Sequence, residues 1–454
     1  MHSHSESELV VNNILTQRGF LSLLTAQFFG AMNDNVLKGV LIFMVVDGLW
    51  KGELGAGGQG FVSVCFTLPF ILLSGYAGQI ADRYSKRTVT LWVKVTEIPI
   101  VILAGVGFFA GNLWVTLFAL VALTCQSSFF GPAKYGMIPE LVDDAELSRA
   151  NGTINMMTNL AVIAGTLLAG WVSDHYSPQP AKAEVQGAVA ANPGGIDWLP
   201  GATLTLIAVA GLAASLFLIR LQPGDRDLKF NWNPFSIYIA TVRQMSTTRL
   251  LMVMMAWGYF YLLAGIALLI VPEYTVVLDI DRTEAAVLMG VLGIAIGVGC
   301  AVAGLISGHH IEPRLIPVGT AGLIVFFILL AAVPPWMPAF ESTTMSVAFS
   351  NVSGLLFGAG FFAGFYIVPL QALLQQLSPS GERGRFLGTA NAVSFAFLTV
   401  AALFYWAIRP LFGDEPENIF YVSALLMAAG AGFFLWRLRG TGVMSKRRAE
   451  KAAA

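Results

Sequence analysis

The amino-acid sequence predicts an all-α membrane protein: twelve transmembrane helices in two six-helix halves, with both termini cytoplasmic. Three observations carry this. Hydrophobic residues make up 56% of the 454 residues and charged residues only 12%, about half the ~25% usual in soluble domains. With a mean hydropathy of +0.71, the chain has more apolar surface than a soluble core needs, so much of its outside is read as facing lipid. Twelve apolar windows can each cross ~30 Å of hydrocarbon as a helix, and the basic residues between them fall unevenly on the two sides.

The windows lie near 18–49, 57–81, 87–111, 112–132, 148–174, 198–221, 249–273, 284–308, 313–335, 346–375, 385–409 and 416–438. Several exceed the ~20 residues of a perpendicular span, which predicts tilt or extension beyond the membrane. With the N-terminus in the cytoplasm, 20 of the 26 Lys and Arg residues fall on the cytoplasmic side. Lys51, Lys182, Arg282 and Arg409 fall outside, while Lys38 and Lys94 lie within spans. This inside bias sets the orientation.

The expected organisation is a cytoplasmic tail (1–17), a first half (18–221), a charged linker (222–248), a second half (249–438) and a basic tail (439–454). Within the linker, Phe235 to Val242 can form a short helix along the membrane surface. The segment 175–197, rich in Pro, Gly and Ala, reads as an outer loop. The N-terminus has neither a basic region nor a short apolar region with a cleavage site, so no signal peptide is expected. The halves carry traces of a repeat. FFGPAKYGMIPEL after span four and RANGTIN in span five correspond to FYIVPLQALLQQL after span ten and GTANAVS in span eleven. Two six-helix halves about a pseudo-two-fold axis are a transporter plan.

Charges inside the spans mark the candidate site, since an ionisable group in hydrocarbon is costly and functional by default. Span one holds Asn33, Asp34, Asn35 and Lys38. Asp34 falls ~22 Å along a helix starting near Gly19, and Gln27, Asp34 and Lys38 share one face. Asp34 and Lys38 can neutralise each other at i,i+4, or open to clamp an ammonium and a phosphate. Span three holds Lys94 and Glu97, either a structural pair or a substrate contact. Glu273 reads as interfacial, and Gln371, Gln375 and Gln376 as hydrated.

Between spans two and three, Gly78-Gln-Ile-Ala-Asp82-Arg83-Tyr-Ser-Lys86-Arg87 permits close helix approach at Gly78 and lets Asp82 cap a neighbouring helix. The corresponding loop of the second half, Gly304 to His310, has no carboxylate. No phosphate-binding G-x-x-x-x-G-K-[ST], nucleophile elbow or zinc-ligand cluster is present, and Cys65, Cys125 and Cys300 match no metal spacing. His2, His4, His309 and His310 read as solvated. Neither an enzyme nor a metal site is expected, and the net charge of −1 suggests no nucleic-acid partner.

The Gly78 to Arg87 stretch resembles the loop signature of the major facilitator superfamily, with Ser85 in place of a Gly. AQFFGAMNDNVLKG in span one, FFGPAKYGMIPEL with RANG, and VPLQALLQQ with GTANA further resemble one branch, the bacterial lysophospholipid transporters. That resemblance implies a flippase moving lysophospholipids such as lysophosphatidylethanolamine from the outer to the inner leaflet of the inner membrane. There a separate acyltransferase would reacylate them. It implies headgroup recognition by Asn33, Asp34 and Asn35, a family signature at Pro132, Lys134, Tyr135, Gly136 and Asn151, and a latch of Asp82 against span eleven. Proton-driven drug antiporters usually carry an Arg in span four and a Gly-Pro pair in span five. Span four here has no Arg, and span five reads Gly165-Thr166-Leu-Leu-Ala169-Gly170. A proton-coupled exporter of amphipathic drugs or siderophores is the alternative, and a non-transporting scaffold or sensor a third. No cofactor is expected beyond a proton or sodium ion as coupling ion. One chain holds both halves, so a monomer suffices among membrane lipids.

Overall fold

The computed structural model describes residues 18–142, 147–177, 195–219, 230–233, 235–307, 311–336, 345–378 and 383–440. Among them twelve helices are long and apolar enough to cross a membrane. The first six are α1 (Arg18–Asp47), α2 (Gly58–Arg83), α3 (Lys86–Phe109), α4 (Leu113–Leu141), α5 (Leu147–Tyr176) and α6 (Leu199–Leu216). A short helix, α7 (Ser236–Ser246), follows in the linker. The seventh span is α8 (Leu250–Ile270), continued by a 3-10 turn and α9 (Tyr274–Val277). Then come α10 (Arg282–Ser307), α11 (Leu315–Trp336), α12 (Met345–Leu377), α13 (Arg383–Ile408) and α14 (Ile419–Gly440). An even number of spans puts the start of α1 and the close of α14 at one end of the bundle, the terminal end.

The outer surface is apolar, as lipid contact requires. Leu206, Phe217, Leu305 and Leu425 are exposed, as are Trp114 and Phe118. In water such a belt would be an aggregation surface. Apart from its first and last turns, a helix satisfies its backbone polar groups internally, which is why an all-helical chain suits lipid.

Span four runs nine residues beyond its hydropathy window and span ten only two. The stretch FFGPAKYGMIPEL is not a loop after span four but the last turns of α4, and VPLQALLQQL likewise completes α12. The cause is side-chain periodicity. Ala133, Met137 and Leu141 recur every four residues and pack with Phe20, Leu23 and Leu24 of α1 and Ile154 of α5. Pro132 and Pro369 are carried inside helices, which buried transmembrane helices tolerate.

Helix packing repeats between the halves. α1 packs on α5 and α6 as α8 packs on α13 and α14. α2 and α3 pack on α4, and α10 and α11 pack on α12. The halves meet along two seams, α2 against α13 and α5 against α10, which a two-fold axis exchanges. Close crossings depend on small residues: a Cβ on Gly299 of α10 would strike the backbone of Phe361, and one on Gly364 of α12 would strike the backbone of Gly299.

The seams are closed at the end opposite the termini. There Gln59 of α2 meets Glu273 and Tyr405, and Arg282 of α10 meets the ends of α1 and α5. Near mid-membrane, Thr67 and Thr399 share a 2.7 Å hydrogen bond and Phe70 stacks on Phe395 at 4.8 Å. Nearer the terminal end the seam loosens. A Cβ on Gly78 or Gly388 would meet nothing within 4 Å.

The linker is tied to both halves. Tyr76 of α2 stacks on Phe230 and donates to the Trp232 carbonyl at 2.8 Å, while α7 packs on α8 and α13. α7 lies where the sequence suggested a surface helix, with Ile239 exposed and Thr241 and Met245 buried.

Candidate functional site

The charged residues of α1 and α3 converge on the core of the first half. Lys94 and Glu97, one turn apart on α3, form a buried ion pair of 2.8 Å. Asn33 of α1 donates to the other Glu97 oxygen at 2.6 Å. Lys94 crosses α1 at Gly30, where a Cβ would strike its ammonium, and reaches over the Phe130 ring at 5.3 Å. This group is closed: each charge has a partner, and Lys94, Glu97 and Asn33 are sealed from solvent. Such a pair costs desolvation to form and still more to break.

Asp34 and Lys38 are arranged differently. Both are only half-buried. Asp34 accepts a 2.9 Å hydrogen bond from Ser127 of α4, whose neighbour Gln126 donates to the Val93 carbonyl of α3 at 2.6 Å. Lys38 stands over the Phe66 ring of α2 at 4.7 Å. No direct ion pair joins Asp34 to Lys38, although the two charges lie close enough to attract each other. A carboxylate and an ammonium one helical turn apart, both reachable and held by different neighbours, can receive two opposite charges of one ligand. The third member of that face, Gln27, is buried and donates to Thr158 of α5 at 2.9 Å. Asn35 is buried and donates to the Ala31 carbonyl of its own helix at 2.8 Å.

The signature residues sit together near the terminal end. Lys134 is buried within α4, not in a loop, and stands over the exposed Tyr135 ring at 4.4 Å. Tyr135 donates to Asn155 of α5 at 3.3 Å. Pro132 and Gly136 lie on α4 and Asn151 on α5, its side chain outside the described residues. Lys86 passes over Gly136, where a Cβ would collide with it, and pairs with Glu140. The signature glycine thus clears the path of a latch lysine.

The remaining latch residues stay within the first half. Arg87 donates to the Leu218 carbonyl at 2.8 Å, and Arg83 lies 5.9 Å from the Tyr84 ring. Asp82 is exposed and a Cβ on Gly78 would meet nothing within 4 Å, so among the described residues neither makes a contact with span eleven. His309 and His310 lie outside the described residues.

Sequence reading missed the partners on α4. Gln126-Ser127-Ser128, a polar triplet in an apolar span, was the signal available. It also gave no sign that Glu273, at the outer end of its span, is buried and held by Arg409, Tyr405 and Gln59.

Twelve candidate spans in two matched halves, with ion pairs buried between the helices, are the plan of a membrane transporter. The family model of the Major Facilitator Superfamily matches residues 23–402, and the chain belongs to that family. It is similar to the lysophospholipid transporter LplT of Cronobacter sakazakii, with 28% identity over 449 residues, 94% of this chain and 98% of that protein. LplT of Photorhabdus laumondii is 29% identical over 440 residues, 93% and 94% of the two chains. Among solved structures, a POT family transporter in complex with 5-aminolevulinic acid superposes with a TM-score of 0.67 at 13% identity, covering 95% and 97%. A bacterial homologue of the human lysosomal transporter Spinster, in an inward-facing and occupied conformation, gives 0.61 at 12% identity, covering 92% and 96%. Likeness at that identity is a likeness of fold.

Proposed function

We propose that this protein is a lysophospholipid flippase of the bacterial inner membrane, moving molecules such as lysophosphatidylethanolamine from the outer to the inner leaflet by alternating access. Asp34 and Lys38 carry the reading. They sit one turn apart without an ion pair between them, each half-buried. Lys38 would take the phosphate and Asp34 the amine of the headgroup. Lys94, Glu97 and Asn33 would hold α3 against α1 beneath them, and Asn35 would brace the helix. The resemblance to relatives named lysophospholipid transporters over more than nine-tenths of the chain supports the substrate class.

The excess of basic residues near the terminal end supports placing that end in the cytoplasm. The state described above is then closed to the outside and loosened toward the cytoplasm. Reacylation by a separate acyltransferase would consume the arriving lysolipid and pull transport inward without a coupling ion.

Ligand-dependent thermal unfolding of the purified protein tests the substrate class. Lysophosphatidylethanolamine at saturating concentration is expected to raise the melting temperature, by about 2.7 kcal/mol of stabilisation at a hundred times Kd. Monoacylglycerol, which lacks phosphate and amine, is expected to raise it far less. A shift with cationic amphipathic drugs and none with the lysolipid would favour an exporter and sink this reading.

A further inference from the structure

The closed end of the seam between α5 and α10 is held by a reciprocal pair of helix caps. Asp174, in the last turn of α5, accepts hydrogen bonds from the first two backbone amides of α10: Arg282 N–H at 3.1 Å and Thr283 N–H at 2.9 Å. The Thr283 hydroxyl adds a third at 2.5 Å. A carboxylate at a helix N-terminus satisfies orphan amides and opposes the positive end of the helix dipole. Arg282 returns the favour to the other helices. Its guanidinium donates to the Ser173 carbonyl at 2.9 Å, to the Ser177 carbonyl, and to the Asp47 carbonyl at the end of α1 at 2.7 Å. A cation thus caps the negative ends of α1 and α5 while an anion caps the positive end of α10. Arg282 is 1% exposed.

Close approach makes this possible, and Gly170 allows it. A Cβ there would lie 2.7 Å from the Arg282 carbonyl oxygen and 2.7 Å from the Ala286 methyl. Gly170 precedes Asp174 by four residues, which is the spacing of Gly78 and Asp82 on α2. The two glycine–aspartate pairs lie near the C-terminal ends of α2 and α5, at opposite ends of the bundle. Each half of this fold is itself built from two three-helix repeats of inverted topology, and inversion relates α2 to α5. It also relates α13, the seam partner of α2, to α10, the seam partner of α5. In the present state the Gly170–Asp174 pair is engaged, while among the described residues Asp82 is exposed and makes no contact with α13.

We propose that Gly170 and Asp174 form the opposite-end counterpart of the Gly78–Asp82 latch, and that the two latches engage in alternation during transport. Asp174 then acts as a positioning residue: it stabilises the state sealed at the opposite end and must release α10 before that end opens. The proposal rests on reading the chain as an alternating-access transporter, but not on its substrate.

Spin-label distances in nanodiscs test it. Labels at Lys51→Cys and Asp414→Cys report the opposite end, and labels at Thr88→Cys and Arg314→Cys the terminal end. The natural cysteines are replaced by alanine. Asp174→Ala is expected to raise the share of long Lys51–Asp414 distances on the order of tenfold or more, since two to three charge-assisted bonds are lost. Thr88–Arg314 distances should shorten in the same preparation. Thr283→Val, which removes one bond only, should shift both pairs less and in the same sense, and it covers the case in which Asp174→Ala does not fold. Unchanged distributions at both ends in folded protein would overturn the proposal, as would lowered thermal stability with unchanged distances. No lysolipid is needed, so either result leaves the substrate reading to its own test.

Discussion

Arg409→Met is expected to destabilise the protein by about 3–5 kcal/mol, the usual cost of removing one partner from a buried ion pair. Glu273 would be left in the seam as a buried carboxylate without its cation. In the native protein Arg409 meets it with two bonds, Nε at 2.7 Å and the second guanidinium nitrogen at 2.8 Å. Tyr405 and Gln59 donate to the same carboxylate at 2.9 and 2.5 Å. Only Gln59 belongs to the first half, so the ion pair prepares the surface of the second half and Gln59 docks on it. Arg409→Lys should fall between wild type and Arg409→Met, because an ammonium cannot reproduce the two-pronged geometry. The double variant Glu273→Gln/Arg409→Met should recover part of the loss, since no uncompensated charge remains. Thermal unfolding in detergent reads all three. Equal melting temperatures for Arg409→Met and wild type would contradict this account of the seam.

Lys38→Met and Lys94→Met should separate two kinds of intramembrane lysine. Lys38 is half-buried over an aromatic ring and makes no ion pair with Asp34, so its loss should change stability little. If it holds the substrate phosphate, lysolipid uptake should fall about 10- to 100-fold, the equivalent of a charged hydrogen bond of ~1.5–3 kcal/mol. Lys94→Met should instead lower stability by about 3–5 kcal/mol, because Glu97 would remain buried with Asn33 as its main partner. Uptake per folded molecule and melting temperature, measured side by side, check both. Lys38→Met protein that transports normally would remove Lys38 from the site.

How much of this was legible in the sequence depends on the distance over which each feature is encoded. Spans are local, and an apolar run with basic flanks reveals them. The length of α4 was misread because hydropathy sees Pro132, Lys134 and Glu140 as loop residues. It does not weigh the stripe of Ala133, Met137 and Leu141 that packs on α1. The intramembrane charges were visible because each is anomalous in its own window. Their pairing was not. Spacing alone permits Asp34 to pair with Lys38 as readily as Lys94 with Glu97, yet the fold makes only the second pair. Ser127 reaches Asp34 from 93 residues away, and no local rule selects it. Glu273 and Arg409 lie near the ends of spans, where charges are ordinary, and only the packing of α8 on α13 shows that they are buried. The same holds for Asp174, the last residue of its window, and for Arg282, which reads as a charge of an outer loop.

The central claim is that this transporter carries lysophospholipids past Asp34 and Lys38. Its most direct test is uptake of labelled lysophosphatidylethanolamine into proteoliposomes containing wild-type protein, beside protein-free liposomes and liposomes containing Asp34→Ala at equal density. The expected result is protein-dependent uptake by the wild type that falls about tenfold or more in Asp34→Ala. Wild-type uptake no faster than in protein-free liposomes, from protein shown to be folded, would contradict the substrate; equal uptake by wild type and Asp34→Ala would contradict the site.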